Sequence, residues 1–242
     1  MTAPTEAALF DALEATWAPA AREERKGWVL RDGAGGGKRV SAANATTDEA
    51  DIAWAEAAMR GRGQTPLFSL RPDQAGLDAA LAARGYVMRD PTLLYAAPAE
   101  AIAAHDPAGF HVIRCGASLA IMNEVWAQGG VGPARRAVMD RSGSARVYLL
   151  GRLNDRPAGC AFVAIDRDIA MLHALEVAPG FRRSGLGRSA TGAAAAWAVD
   201  QGCTTLALAV VEANAAARAL YESLGMTVRS RYHYRIMPED RP

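Results

Sequence analysis
The chain has 242 residues, half of them hydrophobic and 22% charged, with 27 basic and 26 acidic side chains and a net charge of +1. That length accommodates one large domain or two small ones, and the hydrophobic content with ordinary charge points to a globular chain. Residues 1–100 carry 11 basic against 14 acidic groups and residues 101–242 carry 16 against 12, an excess too small for a nucleic-acid footprint.

Glu6 to Pro19 is predicted as a helix, with Leu9, Leu13 and Trp17 at fourfold spacing on one face. Trp28 to Arg31 and Arg39 to Ala43 read as strands around the Gly33–Gly37 turn. Thr47-Asp48-Glu49 opens a second helix reaching Met59. A strand over Thr65 to Leu70, a helix over Asp73 to Ala83 and a strand over Tyr86 to Ala96 follow. The boundaries expected are residues 1–97 for a first lobe, 98–107 for a linker and 108–242 for a second domain. The second domain reads as strand (Phe110 to Arg114), helix (Ala117 to Ala127) and a Gly129-Gly130 break. A short helix near Pro133 to Met139 comes next. Three hairpin-linked strands follow: Ala145 to Leu150, Ala158 to Ile165 and Ile169 to Val177. A helix from Ser189 to Val199, a strand from Thr204 to Val211, another helix and a last strand from Thr227 to Met237 complete it.

The chemistry concentrates where the strand ending at Val177 meets Pro179 and a basic turn, Phe181-Arg182-Arg183-Ser184-Gly185-Leu186-Gly187-Arg188. Strand, glycine turn and helix start form a cradle for an anion, because unpaired N–H groups and the helix dipole both favour negative charge. Gly185 and Gly187 would let the backbone approach a phosphate. Two readings compete. Gly185-Leu186-Gly187-Arg188-Ser189-Ala190 fits the dinucleotide pattern G-x-G-x-x-A, with Glu212 as its acidic partner. Too little chain follows to build the second half of that fold, and the preceding strands are hairpin-linked.

The other reading is a resemblance. Arg182-x-x-Gly185-x-Gly187 resembles the pyrophosphate loop of GNAT-superfamily acetyltransferases. Asn214-Ala215-Ala216-Ala217-Arg218-Ala219-Leu220-Tyr221-Glu222-Ser223-Leu224-Gly225-Met226 resembles the family's second signature. The likeness spans residues 110–237. The Leu81 to Tyr86 ending echoes Ser223 to Met226, so the first lobe reads as a degenerate copy without the phosphate turn. The resemblance implies an α/β fold, a mixed, mostly antiparallel sheet flanked by helices, in tandem GNAT-like architecture. It implies acetyl-CoA as co-substrate and acetyl transfer to a primary amine by direct attack on the thioester. The alternative is a non-catalytic CoA-sensing or interaction module that keeps the cradle.

The same resemblance places the cofactor on Leu175, Val177, Arg182, Arg183, Ser184, Gly185, Leu186, Gly187, Arg188, Ser189 and Asn214. Asn214 serves equally as a helix N-cap. Tyr221 falls where the family keeps its proton donor; the other reading is a core aromatic. His173 and, more weakly, Glu176 are candidate bases, with a water-mediated or absent base also open. Strand alternation puts His173 on the side of Leu175 and Val177, opposite Glu176. Arg231 to Arg235 either faces the acceptor or forms an exposed edge strand. The expected acceptor is a small-molecule or peptide amine, with no nucleic acid and no membrane; the sequence supports no particular oligomer. Cys115, Cys160 and Cys203 have no metal spacing, and no leader or membrane-length apolar run is evident, so a cytoplasmic, metal-free protein is expected.

Overall fold
The computed structural model describes residues 3–47, 49–104, 110–143 and 145–238. Asp48 in the expected second helix, and His105 to Pro107 in the expected linker, lie outside them. The first half runs α1 (Glu6–Thr16), β1 (Ala21–Arg25), β2 (Trp28–Asp32), α2 (Lys38–Ser41), β3 (Asn44–Ala45), α3 (Ile52–Gly61), β4 (Leu67–Leu70), α4 (Ala75–Ala83), β5 (Val87–Pro98) and α5 (Ala99–Ala103). The second runs β6 (His111–Cys115), α6 (Ala120–Gln128), α7 (Pro133–Arg141), β7 (Arg146–Leu153), β8 (Arg156–Asp166), β9 (Ile169–Val177), α8 (Leu186–Asp200), β10 (Thr205–Val211), α9 (Ala215–Ser223) and β11 (Thr227–Ile236).

Local chemistry explains most of these bounds. Thr5 caps α1 by accepting from the Ala8 N–H, and Asp51 caps α3 by accepting from the Trp54 N–H. That second cap starts the helix after Asp51, later than Thr47. Arg39 to Ala43, expected to extend as a strand, instead begins in a short helical turn, Lys38–Ser41, because Gly37 at φ 100° turns the chain into it. Pro98 to Ala103, expected as linker, closes β5 and forms α5, whose Ala99 N–H donates to the Thr204 carbonyl.

The compact units are not the two linear halves. One unit comprises Met1–Ala18, Leu94–Val210 and Asn214–Arg229; the other comprises Pro19–Leu93, Val211–Ala213 and Ser230–Pro242. Each therefore takes part of its closing strand from the other half of the sequence. In the first unit the end of β5 is followed by β10, β9, β8, β7 and β6. The pairs β6–β7, β7–β8 and β8–β9 are antiparallel and β9–β10 is parallel. A dinucleotide fold needs parallel neighbours throughout, so this ladder excludes it. Helix α8 packs on one face of these strands, where the Leu186 side chain fills the space that a Cβ on Gly151 or Gly159 would take. Helices α1 and α6 pack over β8 and β9.

In the second unit β1, β2 and β3 form a small antiparallel sheet. Beside β4, the Ser230–Ile236 part of β11 pairs antiparallel, with the start of β5 on its other side. The Arg231 to Arg235 run is thus an interior strand rather than an edge. Tyr232 and Tyr234 are buried, and Arg39 donates to the Tyr232 hydroxyl. On the opposite face Arg235 and His233 both bond Asp78, and the Arg235 hydrogen bonds lead in holding that carboxyl below its ordinary pKa.

Candidate active site
Strands β9 and β10 stay paired from Ile169–Thr205 to Leu172–Leu208, and there the register ends. Beyond that point, among the described residues, Ala174 to Val177 are not in register with β10 and keep β8 as their strand neighbour.

The parting coincides with a bulge. Phe162 pairs with His173 and Cys160 with Glu176, so β9 has one more residue than β8 between these rungs. Ala174 takes it up at φ 47°, and the Trp126 indole donates to its carbonyl at 2.8 Å. Cross-strand partners share a face. His173 and Glu176 therefore lie on the same side, against the alternation expected of an unbroken strand.

The two candidates sit in different surroundings. His173 is 4% exposed, with its ring centroid 4.9 Å from that of Trp17 and 6.2 Å from that of Phe162. Its Nε2 is 2.9 Å from Thr16 Oγ1, and that hydroxyl gives its only proton to the Ala12 carbonyl at 2.6 Å. The hydroxyl must then accept, so Nε2 carries the hydrogen. Helix α1 supplies Thr16 and Trp17, and no sequence signal near His173 announces it. The Glu176 side chain is 21% exposed and accepts from Arg182 Nη2 at 3.2 Å. Its carboxylate lies against Gly129, where any Cβ would overlap it. Burial first, and then Glu176, push the neighbouring Cys160 thiol up, keeping it protonated.

After Val177 the chain makes a single 3₁₀ turn, Pro179–Phe181. Arg182 Nε donates to the Val177 carbonyl at 3.3 Å, and the Ser184 hydroxyl donates to the Phe181 carbonyl. Arg183 and Gly185 adopt left-handed conformations, at φ 62° and 102°. Among the described residues, the N–H groups of Arg183 to Gly187 have no backbone partner. Successive N–H groups in such a turn at a helix start form an anion-binding concavity. The residues present therefore fit a diphosphate. Within the turn, Leu186 and Ser189 are buried, and Arg188 donates to the Ser223 hydroxyl on α9 at 2.7 Å.

Gly187 has a second reason to be glycine. A Cβ there would come 2.9 Å from the Leu220 side chain on α9. Gly187→Ala should lower stability by no more than about 1 kcal/mol, the low end for overpacking, because the half-buried Leu220 side chain can move. Leu220→Ala should restore part of the loss; thermal melts showing no rescue would return the glycine to the phosphate alone.

Helix α9 opens on Asn214, whose Oδ1 accepts from the Ala217 N–H at 3.1 Å. The capping role is thus occupied by Asn214. Tyr221 is 6% exposed, with its ring centroid 6.1 Å from that of Tyr95, and burial raises the phenol well above its ordinary pKa. Tyr95, on β5, bonds Glu222 at 2.7 Å. Tyr95, Trp126, Gly129, Thr16 and Trp17 all support the site and were not singled out from sequence as site residues. The Gly129-Gly130 break was the one visible trace.

No helix among the described residues is long and apolar enough to cross a membrane. Over 83 residues the chain is 41% identical to the [ribosomal protein bS18]-alanine N-acetyltransferase of Salmonella typhimurium, covering 33% of this chain and 56% of that protein. In fold it is similar to a GCN5-related N-acetyltransferase from Kribbella flavida, at TM-score 0.73 and 19% identity over 93% of this chain and 92% of that one. A tandem GNAT protein from the clavulanic acid biosynthesis pathway matches at TM-score 0.61 and 16% identity, over 90% and 84% of the two chains. The mixed sheet and its flanking helices are thus a GNAT fold, with a tandem protein among its likenesses. Residues 120–226 match the acetyltransferase (GNAT) family, and they hold the parted strands, the anion cradle and the tyrosine helix: the chain carries a GNAT acetyltransferase domain.

Proposed function
We propose that the first unit is an acetyl-CoA-dependent N-acetyltransferase acting on a primary amine, which attacks the thioester directly. The observation that carries this reading is the parting of β9 from β10 immediately ahead of five N–H groups that have no backbone partner among the described residues. A diphosphate would rest on Arg183 to Gly187, with Arg182 and Arg183 close by. An extended arm would pair with the edge of β9 at Leu175 to Val177, where the Val177 carbonyl is already shared with Arg182. Asn214 would act on the cofactor only through the helix that it caps.

Acetyl-CoA supplies the activated acetyl group. Tyr221 would give its proton to the departing thiolate; burial raises the phenol above its ordinary pKa, so the donation would rest on its placement beside the thiolate and not on acidity. Glu176 would take the proton of the amine, because its carboxylate reaches solvent on the face it shares with His173. His173, whose Nε2 hydrogen is committed to Thr16, would hold the strand and α1 together. The second unit would be a degenerate lobe without a cofactor of its own, so that one acetyl-CoA binds per chain. Three free cysteines suit the cytosol.

The test has two arms. At one hundred times its dissociation constant, acetyl-CoA should stabilise the protein by about 2.7 kcal/mol, and NAD should not. Acceptor-dependent CoA release should then appear on a panel of amines. Peptide N-termini head that panel, since the Salmonella relative is named for an alanine in a protein. Cofactor binding with no turnover on any amine would favour the CoA-sensing module. No stabilisation by acetyl-CoA would sink both.

A further inference from the structure
One cation is shared between the strand and the turn that follows it. Arg182 stands directly before the N–H groups of Arg183 to Gly187, yet its guanidinium is bonded back onto β9. Nη2 reaches Glu176 Oε1 at 3.2 Å and Nε reaches the Val177 carbonyl at 3.3 Å. The arginine side chain is 59% exposed and the carboxylate 21%. An ion pair this open to solvent is weak and readily exchanged. A diphosphate is a stronger partner for a guanidinium than one carboxylate, having more charge and more oxygens for its planar fork. The two anions would compete for the same side chain, which lies between the strand and the turn. Of the loop's other cations, Arg188 is already engaged by Ser223.

We propose that Glu176 holds Arg182 in reserve, and that a diphosphate seated on the cradle exchanges this pair, freeing the carboxylate for the acceptor amine only once the cofactor is bound. This inference rests on the acetyl-CoA reading of the cradle. It sets an order of loading: cofactor first, amine second. Before loading, the carboxylate that would receive the amine is covered by the protein's own cation. After loading, it faces the acceptor from its seat against Gly129, beside a Cys160 thiol that stays neutral. Glu176 is then both the base and the positioning residue for Arg182.

A double-mutant cycle on the full chain tests the exchange, with CoA itself as the probe and calorimetry as the readout. Both side chains are at least partly exposed, so Glu176→Gln and Arg182→Gln should fold like the parent, as melting curves will show. Glu176→Gln should tighten CoA binding about threefold by releasing Arg182. Arg182→Gln should weaken it, and in that background the second change should bring no gain. An equal gain in both backgrounds would mean that Glu176 merely repels phosphate, and would overturn the exchange while leaving the acetyl-CoA reading intact. A loss of affinity in Glu176→Gln would overturn it too. Failure of the parent chain to bind CoA would remove the functional reading and this inference together.

Discussion

Tyr221→Phe should lower acceptor-dependent turnover by about 10²- to 10⁴-fold and leave CoA affinity close to that of the parent. The expectation follows from what the substitution keeps. The ring is buried, near Tyr95, and phenylalanine preserves that packing. Only the hydroxyl is lost, so any change in turnover reports the proton that it would give to the thiolate. The measurement is kcat against CoA dissociation constant in the same preparation, with a melting curve to confirm the fold. Turnover within threefold of the parent would make Tyr221 a packing residue and place the proton donor elsewhere.

Trp17→Ala should destabilise the first unit by about 3–5 kcal/mol, the range for deleting a buried aromatic. Trp17 is 3% exposed and lies against Phe162 and His173, while Leu9, Phe10 and Leu13 bury the rest of α1. Domains of ordinary stability hold about 5–15 kcal/mol, so this one change removes a large share. The loss should reach the site as well, since Thr16 fixes the His173 ring one residue away. A fragment of residues 108–242 should fare worse. It lacks α1, the Leu94–Pro98 end of β5 and α5, and uncovers the apolar faces of β8, β9 and α8 that they protect. Chemical denaturation of Trp17→Ala, and solubility with activity of the fragment, are the measurements. A soluble 108–242 fragment with full activity would show that α1 is dispensable.

Much of the site was legible in the sequence because it is built from local chemistry. The strand Ile169–Val177 has the bounds read from its apolar run, and Pro179 stops it. A glycine turn followed by an alanine-rich stretch without proline makes a helix start with free N–H groups wherever it sits in a fold. Asn214 caps its helix through a bond to a residue three positions on. These features depend on φ, capping and periodicity over a few residues, which neighbours along the chain determine by themselves. The paired signatures around Gly185 and Tyr221 were enough to identify the family for the same reason.

Tertiary structure decided the rest. Whether Glu176 sides with His173 depends on one extra residue at Ala174, which shows only in the register against β8. Alternation read along a single strand cannot reveal it, since a bulge is a property of the pair. The grouping into compact units follows the same ground: α1 and the end of β5 group with strands more than a hundred residues away, and β11 from Ser230 on groups with the other unit. The glycine at position 187 was legible as an open approach to phosphate, yet Leu220 on another helix gives it a second purpose. The ion pair of Arg182 with Glu176 joins a turn to a strand across a bend that no spacing rule describes. By itself the sequence determined which elements form and which turn can receive an anion; the pairing of distant segments determined which side chains face one another, because that choice is made by packing and register.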